Sequence, residues 1–77
     1  MGKKHAEQTT AKLVKLLKEA RLAKGISHQT LADMAGVNRS TVSRIESGER
    51  VPTITVCLKV AEALELKLHS LLKQAEE

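Results

Sequence analysis

The sequence predicts an all-α domain of five helices, on three observations. Apolar residues recur at three- and four-residue steps along most of the chain, the spacing that lines one face of a helix. No stretch alternates apolar and polar residues as a half-buried strand does. Phe, Tyr and Trp are absent, so Leu, Val, Ile, Ala and Met must fill the core, and these suit helix-on-helix packing. At 77 residues the chain is one domain. A domain near this size hides only about 60% of the surface its unfolded chain exposes, so its stability is marginal and self-association would add burial.

Residues 1–9 are polar and lack periodicity. They are expected to form a flexible basic tail, either a frayed end or an arm that touches phosphate. The domain itself is expected over residues 10–77. From Thr10 the pattern turns helical: Leu13, Leu16, Leu17, Ala20 and Ala23 share one side, with Lys12, Lys15, Lys18 and Glu19 opposite, and Gly25 ends the helix. Ser27 then has the character of an N-cap, with Ile26 and Leu31 placed as a hydrophobic staple. The second helix runs from about His28 to Ala35 and stops at Gly36. The same device repeats at once, with Asn38 as cap and Val37 and Val42 as staple. A third helix follows from about Arg39 to Glu46 or Ser47, closed by Gly48. Two short helices with so brief a break make a tight corner. Pro52-Thr53 opens a fourth helix with Ile54, Cys57, Leu58, Ala61 and Leu64 as its apolar positions, and a fifth from about Leu68 carries Leu71 and Leu72.

Composition excludes several classes of function. Cys57 is the only cysteine, so no intrachain disulfide forms. No apolar run approaches the roughly 20 residues that span a bilayer, and the N-terminus lacks the apolar region of a signal peptide. Ala6 stands where a myristoylation site needs Ser or Thr. The protein is therefore expected in the cytoplasm. His5, His28 and His69 are scattered with no second ligand at metal spacing, so no metal is expected. Nothing arranges Ser, Thr or His as nucleophile, base and oxyanion stabiliser, and there is no Gly-rich phosphate loop. Neither enzymatic activity nor a cofactor is expected. The net charge of +4 is uneven: residues 1–24 carry seven basic and two acidic side chains, and the remainder six and seven. Such a positive region attracts polyanions.

The most informative stretch is SHQTLADMAGVNRSTVSRIESGER, residues 27–50. Ala32 is small enough for two helices to cross closely, and Gly36 supplies a backbone with φ above zero for the corner. Leu31, Ala35, Val37, Val42 and Ile45 point into the angle and lock it. At 100° per residue, Arg39, Ser40, Ser43, Arg44 and Ser47 fall on one arc of the third helix, and Thr41, Val42, Ile45 and Glu46 on the other. The first arc carries two arginines and no acid. Arg can donate two hydrogen bonds to guanine O6 and N7, and Ser adapts to several base edges, so this arc suits the major groove of DNA.

The stretch resembles the helix-turn-helix of the phage-repressor and Cro group, also called the xenobiotic-response-element family. VPTITVCLKVAEALELKLHSLL is similar to that family's fourth and fifth helices, and KLLKEARLAKGIS to the end of its first; the likeness covers residues 12–73. It implies a lambda-repressor-like fold with helices two and three as the helix-turn-helix, and double-stranded DNA as partner. By the same resemblance, Arg39, Ser40, Ser43 and Arg44 contact bases or the adjacent backbone, and His28, Gln29, Asn38 and Ser47 approach phosphate. His28 stands where the family commonly has Gln. If it meets a phosphate, DNA affinity should rise as pH falls through the histidine's pKa; an ordinary exposed histidine at a helix start is the other reading. The resemblance also pairs Arg21 with Glu46 as a partly buried ion pair.

The fourth helix is more apolar than one core face needs. This is either a wide core stripe or a two-fold interface, with Val56, Ala63, Leu66 and Leu68 as its candidates. Self-association would set two third helices about 34 Å apart, one turn of DNA, and imply a palindromic operator. The implied function is a homodimeric transcriptional regulator, a repressor. The alternative is an antitoxin that binds a partner toxin and autoregulates its operon; a restriction-modification controller is also compatible. Two departures from the family bear on the turn before the fifth helix: Glu65 stands where Gly is favoured, and Lys67 where a capping Ser is. Leu22 projects from the polar side of the first helix without an evident role.

Overall fold

Five helices make up the chain in the computed structural model, which describes residues 2–77 with side chains from His5 onward. They are α1 (Gly2–Lys24), α2 (His28–Ala35), α3 (Arg39–Ser47), α4 (Ile54–Ala63) and α5 (Leu68–Glu76). No strand occurs among the described residues. The fold is all-α and lambda-repressor-like: α1 packs on α5 and α3, α2 on α3 and α4, and α4 on α5. Every helix thus lays a face on one shared core. That core holds Leu13 and Leu17 of α1, Leu31, Ala32 and Ala35 of α2, and Val42 of α3. From the other side come Cys57, Val60 and Ala61 of α4, Leu64 just beyond it, and Leu68, Leu71 and Ala75 of α5. Leu31 and Leu64 are the largest side chains fully enclosed. Cys57 is buried, and desolvation pushes its thiol pKa up, away from the reactive thiolate.

Three sequence expectations need correction. First, α1 begins at Gly2 and not at Thr10. No Pro or Gly interrupts residues 3–24, and Lys, Ala, Glu and Gln are good helix formers. The Thr10 hydroxyl donates to the Ala6 carbonyl one turn earlier, at 2.9 Å. Apolar periodicity reports which turns are buried; a turn that faces solvent can be helical without it. Second, the α1 stripe ends at Ala20. Ala23 is exposed, and the buried place after Ala20 belongs to Arg21.

The third correction concerns the face expected to pair two copies. Leu68 is buried in the chain's own core, and Val56 and Ala63 are half-buried against it. Because α4 packs on both α2 and α5, its inward stripe is wide and takes up Val56 and Ala63, while Leu68 enters the core from α5. Ile54 and Leu58, expected inside, are instead exposed by 62% and 46%, and Leu66 by 36%. Of the four interface candidates Leu66 is exposed, Val56 and Ala63 keep part of their surface, and Leu68 is buried.

The α4–α5 turn shows what the missing family Gly requires. The Leu66 N–H reaches back to the Ala61 carbonyl at 2.8 Å, and the Glu65 N–H to the Glu62 carbonyl at 3.0 Å. This closure puts Glu65 at φ 61°, the chain's one non-glycine residue in the left-handed region among those described. A side chain there is strained against its own carbonyl. The Lys24 ammonium 2.9 Å from the Glu65 carboxylate is a solvent-facing contact of little weight. Glu65→Gly is therefore expected to raise the melting temperature by about 3–5 °C, since relief of the strain exceeds glycine's added unfolded-state freedom. Thermal denaturation followed by circular dichroism checks it; an unchanged or lower midpoint contradicts the strain argument. Lys67 sits at the α5 N-cap position and makes no side-chain cap bond, the second consequence of departing from the family pattern.

Candidate nucleic-acid interface

The corner between α2 and α3 is set by local chemistry. Ser27 adopts an extended backbone and its hydroxyl oxygen accepts from the Thr30 N–H at 3.1 Å, so α2 starts where the sequence places its cap. Gly36 ends the helix at φ 72°, and the Gly36 and Val37 N–H groups both donate to the Ala32 carbonyl. Ala32 has no exposed surface, as close crossing of α2 by its neighbours requires. Asn38 has the extended backbone of an N-cap, and its carbonyl receives the first α3 bonds from Thr41 and Val42. Its side chain, however, makes no cap hydrogen bond. The amide expected to close the helix is left open to other partners.

Helix α3 divides as the angular reading predicts. Thr41, Val42 and Ile45 are buried, and Arg39, Ser40, Arg44 and Ser47 are exposed; Ser43, on the boundary, is half-buried. The ion pairs among the described residues are Arg21–Glu46, Lys24–Glu65 and His28–Glu46, so neither Arg39 nor Arg44 is engaged. The last turn is tightly closed. The Arg44 carbonyl accepts from the Ser47 hydroxyl at 3.0 Å and from the N–H groups of Glu49 and Arg50 at 2.9 and 3.2 Å. This folds the following loop back onto the helix end and carries Arg50, also exposed, with it. Arg50 lies in an aperiodic segment, which is why the helical pattern gave no sign of it.

Behind α3 sits a buried charge cluster. Arg21 Nε and one terminal nitrogen hold the two oxygens of Glu46 at 2.7 and 3.0 Å, and its other terminal nitrogen donates to the Ile26 carbonyl at 2.7 Å. Both side chains are about nine-tenths buried. The expected pair is present, and it has a third member: His28 Nε2 lies 3.0 Å from Glu46 Oε1. Burial is the strongest single influence on Glu46 and opposes its ionisation. The hydrogen bonds from Arg21 and His28, with their charges, together outweigh it and hold the carboxyl below the usual carboxylate range. The hydrogen bond that Arg21 donates to Glu46 likewise raises the Arg21 pKa, against the desolvation.

His28 is therefore a correction to the sequence expectation. Its imidazole is turned toward the carboxylate at the end of α3 and does not stand free at the head of α2 for a phosphate. The reason is tertiary: the close corner brings the first residue of α2 beside Glu46, 18 positions on. The exposed neighbour at that helix start is Gln29, whose amide donates to Asp33 one turn later at 2.9 Å.

The family model described as helix-turn-helix matches residues 17–71. The chain belongs to the helix-turn-helix family. Within it the chain falls in the Cro/C1-type, XRE-like group of transcription regulators. It is 36% identical over 61 residues to YgzD of Bacillus subtilis (strain 168), named an uncharacterized HTH-type transcriptional regulator. That match covers 79% of this chain and 92% of YgzD. It is 43% identical over 54 residues to MJ1164 of Methanocaldococcus jannaschii, provisionally named an HTH-type transcriptional regulatory protein. This second match covers 70% of this chain and 17% of MJ1164. In this helix-turn-helix chain no helix among the described residues is long and apolar enough to cross a membrane.

Proposed function

We propose that this protein is a sequence-specific double-stranded-DNA-binding repressor that acts as a homodimer on a palindromic operator. One observation carries the reading. The outward arc of α3 offers Arg39 and Arg44 exposed and unpaired, with Ser40 between them and no carboxylate, on a helix whose other arc is anchored in the core. Such a helix enters the major groove, where the arginines address guanine edges and the serines adapt to their neighbours. Asn38, Gln29 and Ser47 flank it at positions suited to phosphate. Bound across a promoter, the dimer represses by excluding other proteins from the site.

The pairing surface in this reading is the apolar group that the chain leaves uncovered: Ile54 and Leu58 one turn apart on α4, and Leu66 in the turn beyond. Selection of bound sites from random duplexes, repeated across a salt titration, tests the reading. The expected product is a palindrome with half-sites about 10–10.5 base pairs apart, centre to centre. A flat site profile with steep salt dependence would reduce the protein to generic electrostatic binding. A monomeric mass at high micromolar concentration, with and without the selected duplex, would remove the dimer. The same exposed apolar residues favour one second reading, an antitoxin that covers them with a partner toxin and uses DNA binding to regulate its own operon. A stoichiometric complex with a second small protein, in place of a self-pair, would establish it.

A further inference from the structure

A groove of about 520 Å³ runs between the N-terminal half of α1 and the segment that leaves α3. It borders the outward arc of α3 only at Ser47, and its size falls within the usual range for small-molecule sites, roughly 300–1,000 Å³. Its floor is apolar, from Val14 of α1 to Ile45, Val51 and Pro52 opposite. The space exists because α1 presents small side chains here, Ala6, Thr10 and Ala11, where larger ones would close it. Around this floor stand three cations, Lys15, Lys18 and Arg50, and none is in an ion pair among the described residues. Two acids line the groove. Glu46 is already committed to Arg21 and His28, which leaves Glu7 alone against three positive charges.

We propose that this groove binds an amphipathic organic acid, with an apolar body on the Val14–Ile45–Pro52 floor and an anionic head held by Lys15, Lys18 and Arg50. Both halves of the occupant's chemistry are required. A neutral hydrocarbon would leave the cations unmatched. A DNA backbone would match the cations and gain nothing from an apolar floor, since phosphate and sugar prefer water. The far wall is the last turn of α3 and its closing loop, Ile45 to Pro52, so an occupant touches the element that presents Arg44.

The test uses the full chain with three probes: 8-anilinonaphthalene-1-sulfonate as a fluorescent apolar anion, decanoate as a competitor, and decanol as its uncharged counterpart. Decanoate is expected to displace the dye at least about 10-fold more effectively than decanol. Amide shift changes should centre on Thr10–Lys18 and Ile45–Pro52. Lys18→Gln with Arg50→Gln should weaken decanoate by about 10-fold and leave decanol unchanged. Ala11→Phe, at an exposed helical position that the fold tolerates, should abolish both by filling the groove. Equal competition by decanoate and decanol, shifts centred on Ile54 and Leu58, or no binding by a chain whose circular dichroism is native would each overturn the proposal. No DNA is present in the experiment, so its failure leaves the regulator reading untouched.

Discussion

Glu46→Ala is expected to cost the protein about 3 kcal/mol of stability, a large part of what a domain of this size possesses. The substitution leaves the Arg21 guanidinium nine-tenths buried with its carboxylate gone and only the Ile26 carbonyl as partner. Removing one half of a buried pair is costly because the remaining charge loses solvent and counter-charge together, about 3–5 kcal/mol in general. The lower end applies here because the cluster sits at the rim of the core, where water can reach a relaxed Arg21. For a domain of 60–100 residues this is a fall in melting temperature of roughly 12–24 °C. Arg21→Met with Glu46→Leu should recover most of the loss, since matched apolar side chains strand no charge. His28→Ala should cost only about 0.5–1 kcal/mol, because Arg21 still satisfies both Glu46 oxygens. Urea unfolding of the parent and these three variants at neutral pH decides the matter. A Glu46→Ala protein within about 1 kcal/mol of the parent would mean that the pair is only a surface contact.

The cluster also sets a pH dependence whose sign follows from the Glu46 shift. Its folded-state pKa is lowered, so the folded chain holds this proton less tightly than the unfolded chain does. The corresponding stability is fully present above the ordinary glutamate value of about 4.3 and is lost as pH falls through the depressed one. Glu46→Gln cannot lose a proton, so the stability difference between parent and variant should narrow steadily as the solution is acidified through that window. A difference constant down to the acid transition would show that charge is not what Glu46 contributes.

Much of the fold is legible in residue spacing, for physical reasons that can be named. Ser27, Gly36 and Gly48 each resolve a local backbone requirement, so the corner can be read without knowing what packs on it. Arg39, Ser40 and Arg44 can be placed outward because Thr41, Val42 and Ile45 are the inward candidates on a helix of nine residues. The early turns of α1 are illegible because exposed turns leave no apolar period. His28 is misread because its partner is distant in sequence: a histidine at a helix start carries no sign of a carboxylate brought beside it by the corner. The pairing face is misread for a similar reason. Val56 and Ala63 are surplus to α4 considered as an isolated helix, and only the simultaneous contact of α4 with α2 and α5 accounts for them, while Leu68 enters the same core from α5.

Arg39→Ala and Arg44→Ala should each weaken binding to the selected operator by about 1–3 kcal/mol, roughly 5- to 150-fold. Both guanidiniums are exposed and unpaired in the free protein, so neither breaks an internal contact to reach DNA, and removing either should leave folding stability nearly unchanged. That separates these variants from Glu46→Ala, whose expected defect is in folding stability. An arginine that reads a base should, when replaced, relax preference at one position of the half-site and lower affinity less for sequences already mismatched there. An arginine that meets only phosphate should lower affinity for all duplexes alike and reduce the dependence on salt by about one counterion. Site selection repeated with each folded variant distinguishes the two. Both residues lie on the exposed arc of α3, opposite the buried Thr41, Val42 and Ile45, which in the proposed reading favours base contact for each. An unchanged site profile for both variants, with uniformly lower affinity, would make α3 a clamp on the backbone and move sequence discrimination elsewhere in the protein.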